Sequence, residues 1–163
     1  MFFGYFVSAQ GCSRYLKTWR EAQRQSKEAG VTSNRLKPDE MILFRNLMRI
    51  SEGHLSAFRQ AISEAVDSVE ENGPQLMVQT FIDEQRMVAV SYQLYRDSEA
   101  ILEHWRLSDP YIAKVMEHCE VAEFEIHGEP SAAVMEQMRP MIGDGRATLT
   151  TRIAGFVRLP ATW

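Results

Sequence analysis

Cysteine is scarce in this chain. Cys12 and Cys119 are the only two, and neither belongs to a Cys-x-x-Cys pair. Two isolated thiols cannot build the disulfide framework of a small secreted domain, and they lack the spacing of a structural zinc site. The expectation is a reducing, cytoplasmic setting. Long apolar runs are missing as well. No segment approaches the ~20 residues that cross a bilayer, so no membrane span is expected. The opening MFFGYFVSAQGC is aromatic, but it has no basic flank and is interrupted at Gly4 and Ser8, so a secretory leader is not expected either. Positive charge is in deficit, 18 Lys and Arg against 22 Asp and Glu. The deficit is uneven: residues 1–40 hold seven basic and four acidic residues, whereas 41–163 hold eleven and eighteen. An acidic main body argues against nucleic acid as the partner.

The standard catalytic signatures are also absent. There is no GxSxG, HExxH, P-loop or dinucleotide GxGxxG. His54, His104, His118 and His127 do not fall at zinc-ligand spacing with the cysteines, and each is expected to be solvated or packed. There are no internal repeats and no low-complexity tract.

What is present is a globular composition, 45% hydrophobic and 25% charged, in 163 residues. That length allows one domain with a real core plus an appendage. Residues 1–37 read as an N-terminal helical arm and linker, and 38–163 as the domain, with 129–163 as its C-terminal extension. MILFRNLMRI, residues 41–50, alternates as a strand. A turn at SEG leads to an amphipathic helix over 54–71, with Leu55, Phe58, Ile62, Ala65, Val66 and Val69 on one face. ENGP stops it. Strands over 75–82 and 86–95 form a hairpin, with Val88, Val90, Tyr92 and Leu94 sharing a face. A helical stretch follows in two expected pieces. Asp97 or Ser98 caps the first, and Asp109-Pro110 starts the second. VAEFEIH is a strand with one wet side. The order βαββαβ is the ferredoxin-like split unit. A short helix from Pro130 or Ser131 and a fifth strand over 147–158 complete the chain. Both faces of the first strand carry apolar groups, so a second copy laid against the open sheet face is expected, with the last strand able to cross between copies.

Two residues stand out. Asn46 sits among Ile42, Phe44, Met48 and Ile50 on the apolar face of the first strand. A buried amide without partners costs about 1–3 kcal/mol, so it is either bonded to backbone, as at a bulge, or kept for a ligand. Trp105 lies before the expected helix break. It is either a core residue beside Ile101 and Leu102 or the wall of a pocket for a flat ligand. Arg45 and Arg49 share the opposite strand face and are expected in salt bridges or solvent.

From about 41 to 128 the chain resembles the antibiotic biosynthesis monooxygenase superfamily, the dimeric α+β barrel proteins. The motifs are ISEG, YRDSEA with Tyr95 where a tryptophan is usual, and SDPY at 108–111. Two positions are similar to the haem-degrading members. Asn46 stands seven residues before Gly53, and Trp105 three before Ser108. The axial histidine of those members would fall at Val115, with His118 one helical turn on. The quinone-forming members, which use neither metal nor flavin, likewise set an Asn and a Trp beside an apolar cavity. The resemblance implies an α+β ferredoxin-like βαββαβ homodimer with an antiparallel sheet. It implies a cofactor-independent monooxygenase acting with O2 on a small aromatic or quinol molecule. Asn46 and Trp105 would be catalytic, and Phe44, Tyr92, Tyr111, Val115 and His118 would contact substrate. A haem-binding or haem-degrading protein with an altered ligand, and a non-enzymatic dimeric ligand-binding module, are the alternatives.

Overall fold

A computed structural model of the chain describes residues 37 and 39–158. Apart from Lys37, the expected arm and linker lie outside these residues. The described elements are β1 (Ile42–Ile50), α1 (Leu55–Asn72), β2 (Met77–Asp83), β3 (Val88–Tyr95), α2 (Ser98–Met116), β4 (Cys119–His127), α3 (Ala132–Gly143) and β5 (Ala147–Thr150). The sheet order is β2-β3-β1-β4-β5. The first four strands pair antiparallel, which is the ferredoxin-like arrangement, and β5 joins β4 in parallel, so the whole sheet is mixed.

Local chemistry sets the element ends. Gly53, at φ 79°, makes the turn after β1 in a conformation that side chains resist. The N–H of Gly73 bonds the Val69 carbonyl at 2.8 Å, and Pro74 then denies α1 a further donor. Asp97 caps α2, its Oδ1 accepting from the Ala100 N–H at 2.9 Å.

Two sequence expectations are corrected here. α2 does not break at Asp109-Pro110 but runs continuously from Ser98 to Met116 with Pro110 inside it. Ile101, His104, Ser108 and Val115 keep one helical phase across the proline and are all buried, so packing outweighs the missing N–H. Pro110 itself points outward. The fifth strand is also shorter than expected. It pairs only from Ala147 to Thr150, and the chain beyond it is exposed through Arg158. Ile153 and Phe156 lie open to solvent there.

The buried face of β1 is Ile42, Phe44, Asn46, Met48 and Ile50. Its core is not continuous. Ile42 and Phe44 belong to one cluster with Tyr95, Ile101, Ile126, Val134, Met138 and Ala147. Met48 and Ile50 belong to another with Phe58, Ala61, Ala89, Val115 and Cys119. Asn46 marks the boundary between them. Neither cluster contains a residue of the opposite sheet face, where Leu43, Leu47, Val90 and Leu94 are half-buried and Phe81 is exposed.

The extension is part of the first cluster through Val134 and Met138. Met138→Ala is expected to lower unfolding free energy by about 2–4 kcal/mol, measured by urea titration. An unchanged midpoint would show that α3 is dispensable for the core.

Candidate functional site

A cavity of about 310 Å³ lies between the two core clusters. That is at the lower end of the range for small-molecule sites. Phe44, Asn46 and Met48 of β1 form its floor, with Val78 and Thr80 of β2 and Ser91 and Gln93 of β3 beside them. α1 supplies Ile62, Ala65, Val66 and Val69, and α2 supplies His104, Trp105, Ser108, Tyr111 and Val115. The wall is thus largely apolar, with a few polar groups from the sheet and from α2.

Asn46 is the central feature. Its Oδ1 is buried and has no hydrogen-bond partner among the described residues. A bulge does lie beside it, where the β1–β4 register shifts between Leu47 and Met48, yet the side-chain carbonyl is not bonded there. Asn46 faces Ser91 on β3 and Phe124 on β4. An orphan acceptor in a largely apolar cavity is a standing demand for a donor. Both amide atoms of Gln75, another lining residue, are in the same condition.

Trp105 stacks on Phe44 with ring centroids 6.4 Å apart and planes 23° from parallel. Phe44 in turn meets Tyr95 at 5.1 Å and Phe124 at 5.0 Å. This cluster holds the indole at the cavity edge, a rigid aromatic wall rather than a fully enclosed core residue.

The structure brings Phe44, Asn46, Trp105, Tyr111 and Val115 to one cavity. It does not bring Tyr92 or His118 there. Tyr92 lies on the opposite sheet face, edge-on to Phe81 at 6.2 Å. The alternation in β3 misleads, because its apolar set faces away from the helices and its more polar set, Ser91, Gln93 and Tyr95, faces them. His118 is turned to His54, with Nδ1 to Nδ1 at 3.1 Å, outside the cavity. The site therefore does not fit haem in the manner of the resemblance. The axial position is the aliphatic Val115, and the nearby histidine points elsewhere. Among the described residues no cluster of three or more His, Cys, Asp or Glu could hold a metal ion.

Sequence reasoning missed a buried polar chain. The Tyr95 hydroxyl donates to Gln93 Oε1 at 2.5 Å and meets His104 Nδ1 at 2.5 Å. Burial pushes the Tyr95 phenol above its usual range and lowers the His104 imidazole from 6.5 to about 4. The available signal was the period-two polar set in SYQLY, in phase with the buried face of β1. Cys119 is a buried free thiol that burial raises to about 11, which leaves it inert at neutral pH.

No protein-family model matches the chain, and no curated protein matches it. Solved structures do. MupZ from Pseudomonas fluorescens aligns with a TM-score of 0.60 at 15% identity, over 73% of this chain and 95% of MupZ. A candidate antibiotic biosynthesis monooxygenase from Caulobacter crescentus CB15 aligns with a TM-score of 0.51 at 16% identity, over 57% of this chain and 92% of that one. A conserved protein from Methanosarcina mazei Go1 aligns at 0.50 with 10% identity, over 56% and 94%. These likenesses establish a shared ferredoxin-like α+β fold. No described helix is long and apolar enough to cross a membrane.

Two outcomes follow from the site. Asn46→Leu removes an unpaired buried carbonyl at similar volume, so the ligand-free protein is expected to keep its urea midpoint or gain about 1 kcal/mol. A loss of 2 kcal/mol or more would mean that Asn46 is structurally bonded. For His104, the folded-state value lies below the unfolded one. Its contribution is therefore complete above pH 6.5 and is lost as pH falls through about 4. The displacement corresponds to about 3 kcal/mol. Denaturation of wild type and His104→Asn at several pH values is expected to show this extra acid sensitivity only in wild type.

Proposed function

We propose that this protein is a cofactor-independent monooxygenase that oxidises a small phenolic or quinol-type aromatic molecule with O2. The observation that carries this reading is the unpaired Asn46 carbonyl in an apolar cavity walled by Trp105. A bare buried acceptor is matched by a ligand that brings a hydroxyl donor, and an apolar wall with a fixed indole suits a flat ring. Phe44, Tyr111 and Val115 complete the contact surface.

In such a site the protein has little covalent work to do. A ligand whose ring carries an activated CH2 group can become a ketone, retaining one oxygen atom of O2 and releasing the other as water. No outside reductant is needed, because the substrate supplies all the electrons. What the protein supplies is a dry pocket in which an electron-rich substrate anion is held and oriented. The fold shared with the Caulobacter protein supports this class of activity without naming a substrate.

The reading includes a homodimer. Leu43, Leu47, Val88, Val90, Tyr92 and Leu94 lie on the sheet face that the core clusters leave out, around an Arg45 whose charge is paired with Glu125 at 2.5 Å. A second copy laid against that face would cover it, and the exposed Ile153 and Phe156 would find apolar neighbours. Sedimentation is expected to show a dimer that Val90→Arg weakens; a wild-type monomer at micromolar concentration would remove this part.

The activity is tested by oxygen uptake with anthrone as probe. Wild type is expected to consume O2 and form the quinone, while Asn46→Ala and Trp105→Phe lower kcat/KM by about 10- to 100-fold. Equal turnover by wild type and both variants would sink the site assignment. Tight binding of the probe without O2 uptake would leave a ligand-binding module.

A further inference from the structure

The cavity holds one group able to act as a base near neutral pH. Among the described residues that line it, the titratable side chains are His104 and Tyr111, both from α2. α1, β1, β2, β3, β4 and α3 contribute no carboxylate, lysine or arginine to the lining. The hydrogen bonds of His104 then decide what it can do. Tyr95 has a single hydroxyl proton and gives it to Gln93 Oε1. With Gln93 Oε1 accepting that proton, the bond between Tyr95 and His104 Nδ1 is the one the imidazole donates. A neutral imidazole has one N–H. With that proton on Nδ1, Nε2 carries a lone pair, and it is the ring nitrogen not engaged by Tyr95.

We infer that His104 is the catalytic base of this site, its Nε2 taking the acidic proton of the bound aromatic, and that Tyr95 and Gln93 are positioning residues that hold the ring in the tautomer leaving Nε2 bare. This rests on the phenolic-ligand reading above and narrows it to ligands with an ionisable proton. In the step, the O–H bond of a phenolic ligand, or a C–H bond of the activated CH2 group in anthrone, breaks and the Nε2–H bond forms. The bonding pair stays on the ligand, spread onto its oxygen, so no electron changes hands, and the resulting anion is what later reacts with O2. Imidazolium and ligand anion then sit together in a largely apolar cavity, where each favours the charged form of the other. The low basicity of His104 belongs to the cavity without an anion. It keeps the ring neutral and ready to accept at pH 7. Tyr95 is protected from competing in this exchange, because burial holds its phenol in the neutral form.

Three measurements test the inference. The first is the 15N NMR spectrum of the His104 ring in the ligand-free full chain. Protonation on Nδ1 is expected, and a ring protonated on Nε2 overturns the proposal. The second is titration with 4-nitrophenol, whose absorbance reports its ionisation without any turnover. Wild type is expected to bind it as the anion, and His104→Asn as the neutral phenol. Asparagine can keep the bond to Tyr95 but has no counterpart of Nε2, so it separates a base from a structural prop. Equal ionisation in the two proteins overturns the base role. Absence of binding in both overturns the phenolic-ligand reading itself, and the inference with it. The third is turnover of anthrone. His104→Asn is expected to lose about 10²-fold or more in kcat with KM little changed, while Tyr95→Phe, which frees the tautomer, loses less and alters the pH profile. Wild-type kcat in His104→Asn overturns the proposal even where anthrone is a good substrate.

Discussion

The arrangement of this domain depends on one unmet hydrogen bond. Asn46 places a carbonyl in the middle of the buried face of β1, between the apolar Phe44 and Met48. Leucine there would join Phe44 to Met48 and make one core. The amide instead keeps two clusters apart, with space between them. Holding an unpaired polar group away from water opposes folding by roughly 1–3 kcal/mol, and the two clusters on either side offset it. The cavity is therefore built into the packing, not left over from it.

A second polar insertion stands beside the first and behaves differently. The hydroxyl of Tyr95 is fully enclosed, yet it is satisfied on two sides, by Gln93 and by His104. A satisfied buried network is rigid, and rigidity gives it directional meaning. It sets which edge of the imidazole meets the cavity. The aromatic cluster around Phe44 does the same for Trp105. Wall and imidazole are thus each held by neighbours, Phe44 and Gln93 from within the lining and Tyr95 from behind it.

Much of the fold was legible in the sequence. Alternation in 42–50, the phase of the apolar residues in 55–69, and the Gly and Pro punctuation of ENGP are local signals, and local structure followed them. Asn46 was legible as an anomaly because four apolar residues surround it in register. The failures share a cause. Asp109-Pro110 has the local propensity of a helix start, whereas the phase that carries α2 through it comes from packing. Apolar alternation in β3 marks a face that includes Tyr92 but not which face the helices cover. A lone His104 has no meaning in the sequence until Tyr95, nine residues earlier, is brought to its Nδ1. Thr, Ile, Phe and Val after Thr150 favour strand, but a strand also needs a neighbour to pair with.

The division of the core has a thermodynamic consequence. A ligand that fills the space over Asn46 would touch both clusters at once and supply the donor that the carbonyl lacks. It would complete the hydrophobic interior as a detachable part of it. Stability and occupancy are then linked by mass action, each decade of ligand above its dissociation constant adding about 1.4 kcal/mol. In such a protein the resistance to unfolding records how much ligand the surroundings contain, and the empty form is the one most exposed to proteolysis.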